Sequence, residues 1–121
     1  LHQLDIRRSP RLVGSTSFGG DWTWSAAYDD DRVMSFDPTS TLSALPMTTL
    51  RGKSGAVGAT QVLSLGPSGP RKVLEQEVSA DRLLFVDGRL LAFSADGVSV
   101  VRHPGERAVR RRWDDVGTLI R

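Results

Sequence analysis

Cysteine is absent from this chain of 121 residues, which excludes disulfide bonds and thiolate metal sites. Histidine occurs only as His2 and His103, and neither belongs to a metal-binding pattern. The chain has no apolar run of the roughly 18 residues that a membrane-spanning helix needs, and no signal-peptide pattern. We therefore expect no membrane span, and the missing cysteine and signal peptide favour an intracellular location, cytoplasmic or nuclear.

Motifs of catalysis and cofactor binding are also missing. The sequence contains no G-x-S-x-G nucleophile motif, and its two histidines leave no evident general base. Residues 52–54 (Gly-Lys-Ser) match the last three positions of the P-loop motif, but Met47 occupies the position where that motif requires its first glycine. Residues 29–31 are three successive aspartates without the ligand spacing of an EF-hand loop. We expect a chain that is not an enzyme and that binds no cofactor or metal.

The composition is that of an ordinary globular protein, with 39% hydrophobic and 25% charged residues. A chain of this length is about one domain. We expect residues 1–121 to form a single mainly β domain, in which residues 1–10 are a flexible arm or an edge strand.

Alternating apolar residues near the N-terminal third predict a hairpin. Residues 21–28 place their aromatic and apolar side chains at every second position, the period of a strand. Residues 29–31 would be the tip and residues 32–36 the returning strand, with the tryptophans anchoring a core face. The alternating residues are Trp22, Trp24, Ala26 and Tyr28.

Turn residues divide the rest of the chain into short strands. Residues 66–70 (GPSGP) are a strong turn signal between strands at 56–65 and 71–78. Two Asp-Gly dipeptides, at 87–88 and 96–97, separate three apolar runs and predict an antiparallel meander over 82–102. Pro46 lies within the apolar stretch 41–50, which favours an edge strand or two short strands there.

The C-terminal segment fits two structures. Val109, Trp113, Val116 and Ile120 lie on one stripe of a helix, which predicts an amphipathic helix over 106–120. In the strand alternative, Val109 and Trp113 share a face with Arg111 between them. With the helix, the expected fold is mainly β, an antiparallel β-roll or sandwich of about seven to nine strands closed by the C-terminal helix.

Residues 19–57 carry a set of short motifs, namely Gly19 and Gly20, Phe36 with Asp37 and Pro38, Leu45 with Pro46 and Met47, and Arg51. This set resembles a Kelch repeat of a β-propeller. The resemblance implies that the double glycine ends an inner strand and that the Asp-Pro turn joins outer strands. It also implies an alternative fold, a partial Kelch-like propeller of about three blades, with the chain a fragment of a larger β-propeller protein. The order of elements is otherwise similar to pleckstrin-homology-like or polo-box-like β-rolls with a C-terminal helix.

Arginines in the C-terminal segment form the candidate partner-binding surface. We expect a non-catalytic protein-interaction or scaffold module whose partner is another protein with an acidic surface, with self-association as a further option. The same arginines favour an alternative, nucleic-acid binding, because guanidinium groups bind phosphates in bidentate fashion; Asp114 and Asp115 weaken the local positive field. The candidate residues are Arg107, Arg110, Arg111 and Arg112.

Overall fold

The computed structural model describes residues 1–19, 22–101 and 109–112, and their regular structure is mainly antiparallel β, as expected. The described ranges contain eleven strands, more than the seven to nine expected, because several are only two to four residues long. Three short 3-10 turns, Ala26–Tyr28, Asp31–Val33 and Gly52–Ser54, complete the regular structure. The strands are β1 His2–Asp5, β2 Arg11–Ser15, β3 Thr23–Trp24, β4 Ser35–Asp37, β5 Leu42–Leu50, β6 Ala56–Gly66, β7 Gly69–Gln76, β8 Arg82–Val86, β9 Arg89–Ser94, β10 Gly97–Val101 and β11 Val109–Arg112.

These strands form three sheets. The hairpin sheet consists of β1 and β2, so most of residues 1–10 are a paired strand and its turn. The central sheet has the order β3-β5-β6-β7, with β4 also paired to β5, and the outer sheet has the order β11-β10-β9-β8. Within the described ranges, no helix is long and apolar enough to cross a membrane.

The central sheet is covered on both faces. Residues 43–47 of β5 and 59–63 of β6 are buried without interruption, the pattern of strands that pack on two sides. On one face, the register partners Ala44 and Val62 pack against Leu83, Leu90, Ala92 and Val101 of the outer sheet. On the other face, Leu45, Met47 and Leu63 pack against Leu1, Phe18, Met34 and Leu65.

Pro46 does not interrupt β5, contrary to the prediction of an edge strand or two short strands. The strand runs unbroken from Leu42 to Leu50, with Pro46 opposite Thr60. On its other side, β4 pairs with residues 42–44 and β3 with residues 48–49, which leaves a gap beside Pro46. The Pro46 carbonyl accepts a hydrogen bond from the Ser25 hydroxyl there. Because N–H and C=O of one strand residue point to the same side, the missing N–H costs no ladder bond.

The hairpin predicted over 21–36 is wrong. Thr23–Trp24 and Ser35–Asp37 each pair with β5 and not with each other, and the segment between them contains two 3-10 turns. Side-chain oxygens of Ser25 and Asp30 accept hydrogen bonds from the backbone N–H groups of Ala27 and Arg32. Such local bonds compete with strand pairing, which is why the alternating apolar pattern does not continue as a strand.

The meander predicted over 82–102 is confirmed as far as Val101. Asp87 and Gly88 form a two-residue turn with φ of 49° and 72°, the positive values that a type I′ turn needs. The second turn lies one residue earlier than expected, because Ala95 and Asp96 form it and Gly97 already belongs to β10.

The helix predicted over 106–120 is not supported, since Val109–Arg112 form strand β11. β11 pairs antiparallel with β10, from Val100 opposite Val109 to Gly97 opposite Arg112. The edge of β10 offers backbone hydrogen bonds that a helix would leave unmade, and pairing with this preceding strand outweighs the helical spacing of the apolar residues. Residues 106–108 and 113–120 lie outside the described residues.

Candidate functional site

Three of the four predicted partner-binding residues lie together on β11. Arg110, Arg111 and Arg112 are consecutive in this strand and stand opposite Ser99, Val98 and Gly97 of β10. β11 ends the strand order of the outer sheet and, in the described part of the chain, pairs with β10 alone. Arg107 lies outside the described residues. The structure therefore places three arginines in a row on an edge strand rather than on a helix.

An arginine-rich edge strand has a definite binding chemistry. Its outward N–H and C=O groups can pair with an added strand from another chain. Consecutive cations on an edge disfavour pairing with a second cationic edge. A guanidinium group binds carboxylates with two parallel hydrogen bonds. Within the described part of the chain, β11 therefore combines an open backbone edge with three arginines in sequence.

The outer sheet also has an apolar face that the sequence analysis missed. Register partners share a face, and the inner face, which includes Leu83 and Leu90, packs on the central sheet. Leu83 is 1% exposed, whereas the adjacent Leu84 on the outer face is 40% exposed. The continuous apolar runs of β8 and β9 were the available signal, because runs without alternation are typical of strands apolar on both sides. The outer face carries Leu84, Val86, Leu91, Phe93, Val98 and Val100.

A pocket of about 310 Å³ opens on the other side of the central sheet. Among the described residues that line it, none has a carboxylate, imidazole or amine side chain. Ser25 is occupied by its bonds to Pro46 and Ala27. The Thr23 hydroxyl lies 3.2 Å from that of Thr49. The polar side chains of its described lining are hydroxyls, and the pocket can hold a small apolar group. Its lining comprises Leu1, Thr16, Ser17, Phe18, Thr23, Ser25, Ala27, Tyr28, Met34, Leu45 and Met47.

Within the acidic residues 29–31, Asp30 stabilises the local fold. Asp30 accepts hydrogen bonds from the backbone N–H of Arg32 at 3.0 Å and from its guanidinium Nε at 2.8 Å. These bonds, led by that from the side chain, lower the pKa of Asp30. No group of three or more His, Asp or Glu residues within the described ranges is placed to hold a metal ion. The Gly-Lys-Ser segment forms a 3-10 turn that leads into β6 rather than into a helix.

A second charged cluster lies in the hairpin sheet. The Asp5 carboxylate contacts the guanidinium groups of Arg7 at 2.9 Å and Arg11 at 3.3 Å. The hydrogen bond from the Arg7 side chain is the main reason that the pKa of Asp5 lies far below its usual range. This pairing holds the ends of β1 and β2 together and satisfies charges that could otherwise contact a ligand.

The expectation that the tryptophans anchor a core face is wrong. Trp22 is 70% exposed, and Trp24 is also exposed. The Leu50 N–H donates to the Trp22 carbonyl, and Trp24 stands opposite Thr48, so both tryptophans lie beside the far end of β5. The outer sheet packs over the Ala44 end of that strand, and the tryptophans lie beyond this contact.

No protein-family model matches the chain, and comparisons with curated proteins and with solved structures found no significant similarity.

Proposed function

We propose that this chain is a non-catalytic protein-interaction or assembly domain, and that β11 binds an acidic partner protein. The observation that carries the proposal is the position of Arg110, Arg111 and Arg112, which form three successive residues of an edge strand. A partner segment that adds to this edge makes backbone hydrogen bonds along its length. Its carboxylates then meet the guanidinium groups.

A protein partner is favoured over nucleic acid by two observations. An edge strand recognises an extended peptide backbone, for which its N–H and C=O groups are complementary. The formal net charge of only +2 is small for a domain that binds nucleic acid through its phosphates. Nucleic-acid binding would depend steeply on salt concentration, and retardation of single-stranded or duplex probes in a gel at low salt would favour it.

Charge reversal tests the proposal. The chain is used to capture acidic proteins from an extract of its own cells, and the affinity of the purified partner is then measured. We expect the triple substitution R110E/R111E/R112E to weaken binding by about tenfold or more. The matched control R8E/K53E/R71E makes the same charge change at exposed cations outside the outer sheet and should leave the affinity nearly unchanged. Equal affinity of the partner for the wild type and for the β11 variant would refute this surface.

A second proposal, that the chain is a fragment of a larger β-propeller, is supported by the order of the strands. β4 to β7 pair each with the next, and so do β8 to β11. Two consecutive four-stranded antiparallel units that stack face to face are typical of neighbouring propeller blades. Asp37 ends β4 and Pro38 begins the turn to β5, which agrees with the Asp-Pro turn of the Kelch resemblance. Detection of the native protein in cells tests this: a polypeptide much longer than 121 residues is expected, and one of this length contradicts it.

A further inference from the structure

We propose that the pocket on the other side of the central sheet binds a small, uncharged aromatic molecule. This site is separate from β11 and does not depend on the acidic partner. Leu45 and Met47 of β5 are buried at the pocket, and Phe18 and Met34 are half-buried beside them. The pocket volume of about 310 Å³ lies at the lower end of the roughly 300–1,000 Å³ typical of ligand sites. The pocket therefore has room for a molecule of one or two rings.

The pocket interrupts the smaller of the two hydrophobic cores. Protein interiors are close-packed, and the core between the central and outer sheets contains six buried side chains. On the pocket side, the described core contains three, Leu45, Met47 and Leu63. The apolar side chains of Phe18 and Met34 pack against these residues but stay partly open. An apolar ring in the pocket would cover both side chains and so complete this core.

The side chains around the pocket favour an aromatic ligand. Met34 and Met47 are the two methionines of the chain, and both line the pocket. Methionine is flexible enough to adapt to a ligand, and its sulfur makes favourable contacts with aromatic rings. The rings of Phe18 and Tyr28 also line the pocket and can make offset or edge-to-face contacts with a further ring.

The charges near the pocket favour a ligand without charge. No side chain of the described lining is ionisable as a carboxylate, imidazole or amine, and burial of an unpaired charge is costly. The amino group of Leu1 donates to the Thr16 carbonyl at 2.9 Å. The Lys72 ammonium lies outside the described lining, 5.1 Å from the centroid of the Phe18 ring, where it makes a cation–π contact.

Hydroxyl groups near the opening can orient the ligand. Within the described residues, the hydroxyls of Thr16, Ser17 and Tyr28 make no hydrogen bond. Ser17 is exposed and Tyr28 is 84% exposed, so these two lie at the rim of the pocket. A few polar groups at one side of an apolar pocket fix the direction in which a ligand enters. We expect the ring to lie against Met47 and a hydroxyl or amide of the ligand to face the rim.

Methionine methyl resonances test the proposal, because both methionines of the chain line the pocket. The chain is isotopically labelled at its methionine and alanine methyl groups and titrated with α-naphthol, an uncharged probe with two fused rings and a hydroxyl. We expect the signals of Met34 and Met47 to shift and to saturate with a Kd between about 10 µM and about 1 mM. The signals of Ala44 and Ala92, which lie in the other core, should stay in place. Methionine signals that do not move at the solubility limit of α-naphthol would overturn the proposal.

A variant that fills the pocket locates the site. Ala27 lines the pocket and is half-buried, whereas the adjacent Ala26 is exposed and lies outside the described lining. Ala27→Phe should raise the Kd of α-naphthol by about tenfold or more, and the matched control Ala26→Phe should leave it unchanged.

A second pair of variants decides the matter if Ala27→Phe does not fold. Tyr28→Ala removes an exposed ring of the rim and should raise the Kd by about threefold or more. Its control, Phe36→Ala, removes an exposed ring of β4 outside the described lining and should not change the Kd. Binding by Tyr28→Ala that is as tight as binding by Phe36→Ala would contradict the site.

A charged analogue of the probe tests the chemical class of the ligand. α-Naphthoate has a carboxylate in place of the hydroxyl and should bind about tenfold more weakly or worse at neutral pH, because the described lining has no cationic side chain. Equal or tighter binding of α-naphthoate would contradict an uncharged ligand. The β11 variant R110E/R111E/R112E should bind α-naphthol like the wild type, which separates this proposal from the proposed acidic partner.

Discussion

Adjacent leucines of β8 provide a sharp test of the sheet packing. Leu83→Ala removes a side chain that is 1% exposed between the outer and central sheets, and Leu84→Ala removes one that is 40% exposed on the outer face. Buried Leu→Ala changes cost about 2–5 kcal/mol because a cavity remains. At Leu84 water can replace the lost atoms, so only part of the transfer free energy is lost, about 1 kcal/mol.

Urea denaturation at low micromolar protein concentration measures this difference. With a urea dependence of about 2 kcal/mol per molar, the unfolding midpoint should fall by about 1.5 M for Leu83→Ala and about 0.5 M for Leu84→Ala. Equal shifts for the two variants would refute the assignment of Leu83 to the core and of Leu84 to an open face.

Three further predictions concern the hairpin sheet and its surroundings. Gly69→Ala should destabilise the fold by about 2 kcal/mol or more, because Gly69 has φ of 101° and the added carbon would lie 3.0 Å from the Gly14 Cα. Gly66→Ala is the control in the same turn, since its added carbon meets nothing within 4 Å. Equal effects of the two substitutions on thermal stability would contradict this prediction. The pKa of Asp5 is lower in the folded state than in the unfolded state, so protonation of Asp5 favours unfolding. The stability difference between the wild type and Asp5→Asn should therefore be present at neutral pH and shrink as pH falls below about 4. A stability difference that is independent of pH in urea titrations would contradict the Arg7 and Arg11 contacts. Ser25→Ala should cost about 1–2 kcal/mol, because its hydroxyl bonds both the Pro46 carbonyl and the Ala27 N–H; an unchanged melting temperature would show that these bonds contribute little.

The strands that depend on local pairing were predictable from the sequence. β8 to β10 follow from apolar runs separated by turn residues, and β6 and β7 from the GPSGP turn, since each pairs with its neighbour along the chain. The central position of β5 was not predictable, because Pro46 is tolerated only through a gap between β3 and β4. That gap depends on pairings between distant parts of the chain.

The sequence identified three arginines of the candidate site but not the secondary structure that carries them. Arg110, Arg111 and Arg112 are consecutive in any conformation, but the apolar spacing around them fitted both a helix and a strand. Their place in an edge strand depends on pairing with β10. The exposed outer face was missed because a continuous apolar run does not reveal which of its two faces packs inside the chain. The pocket was missed because Phe18, Met34 and Met47 come from separate segments that meet only in the fold.

Amide resonances of the isotopically labelled chain, recorded during titration with the purified acidic partner, test the central claim that the outer sheet binds it. The account predicts that the largest shifts occur at β8 to β11, strongest at residues 109–112, while the pocket and the hairpin sheet change little. Shifts concentrated around Phe18, Met34 and Met47, with β8 to β11 unchanged, would contradict it.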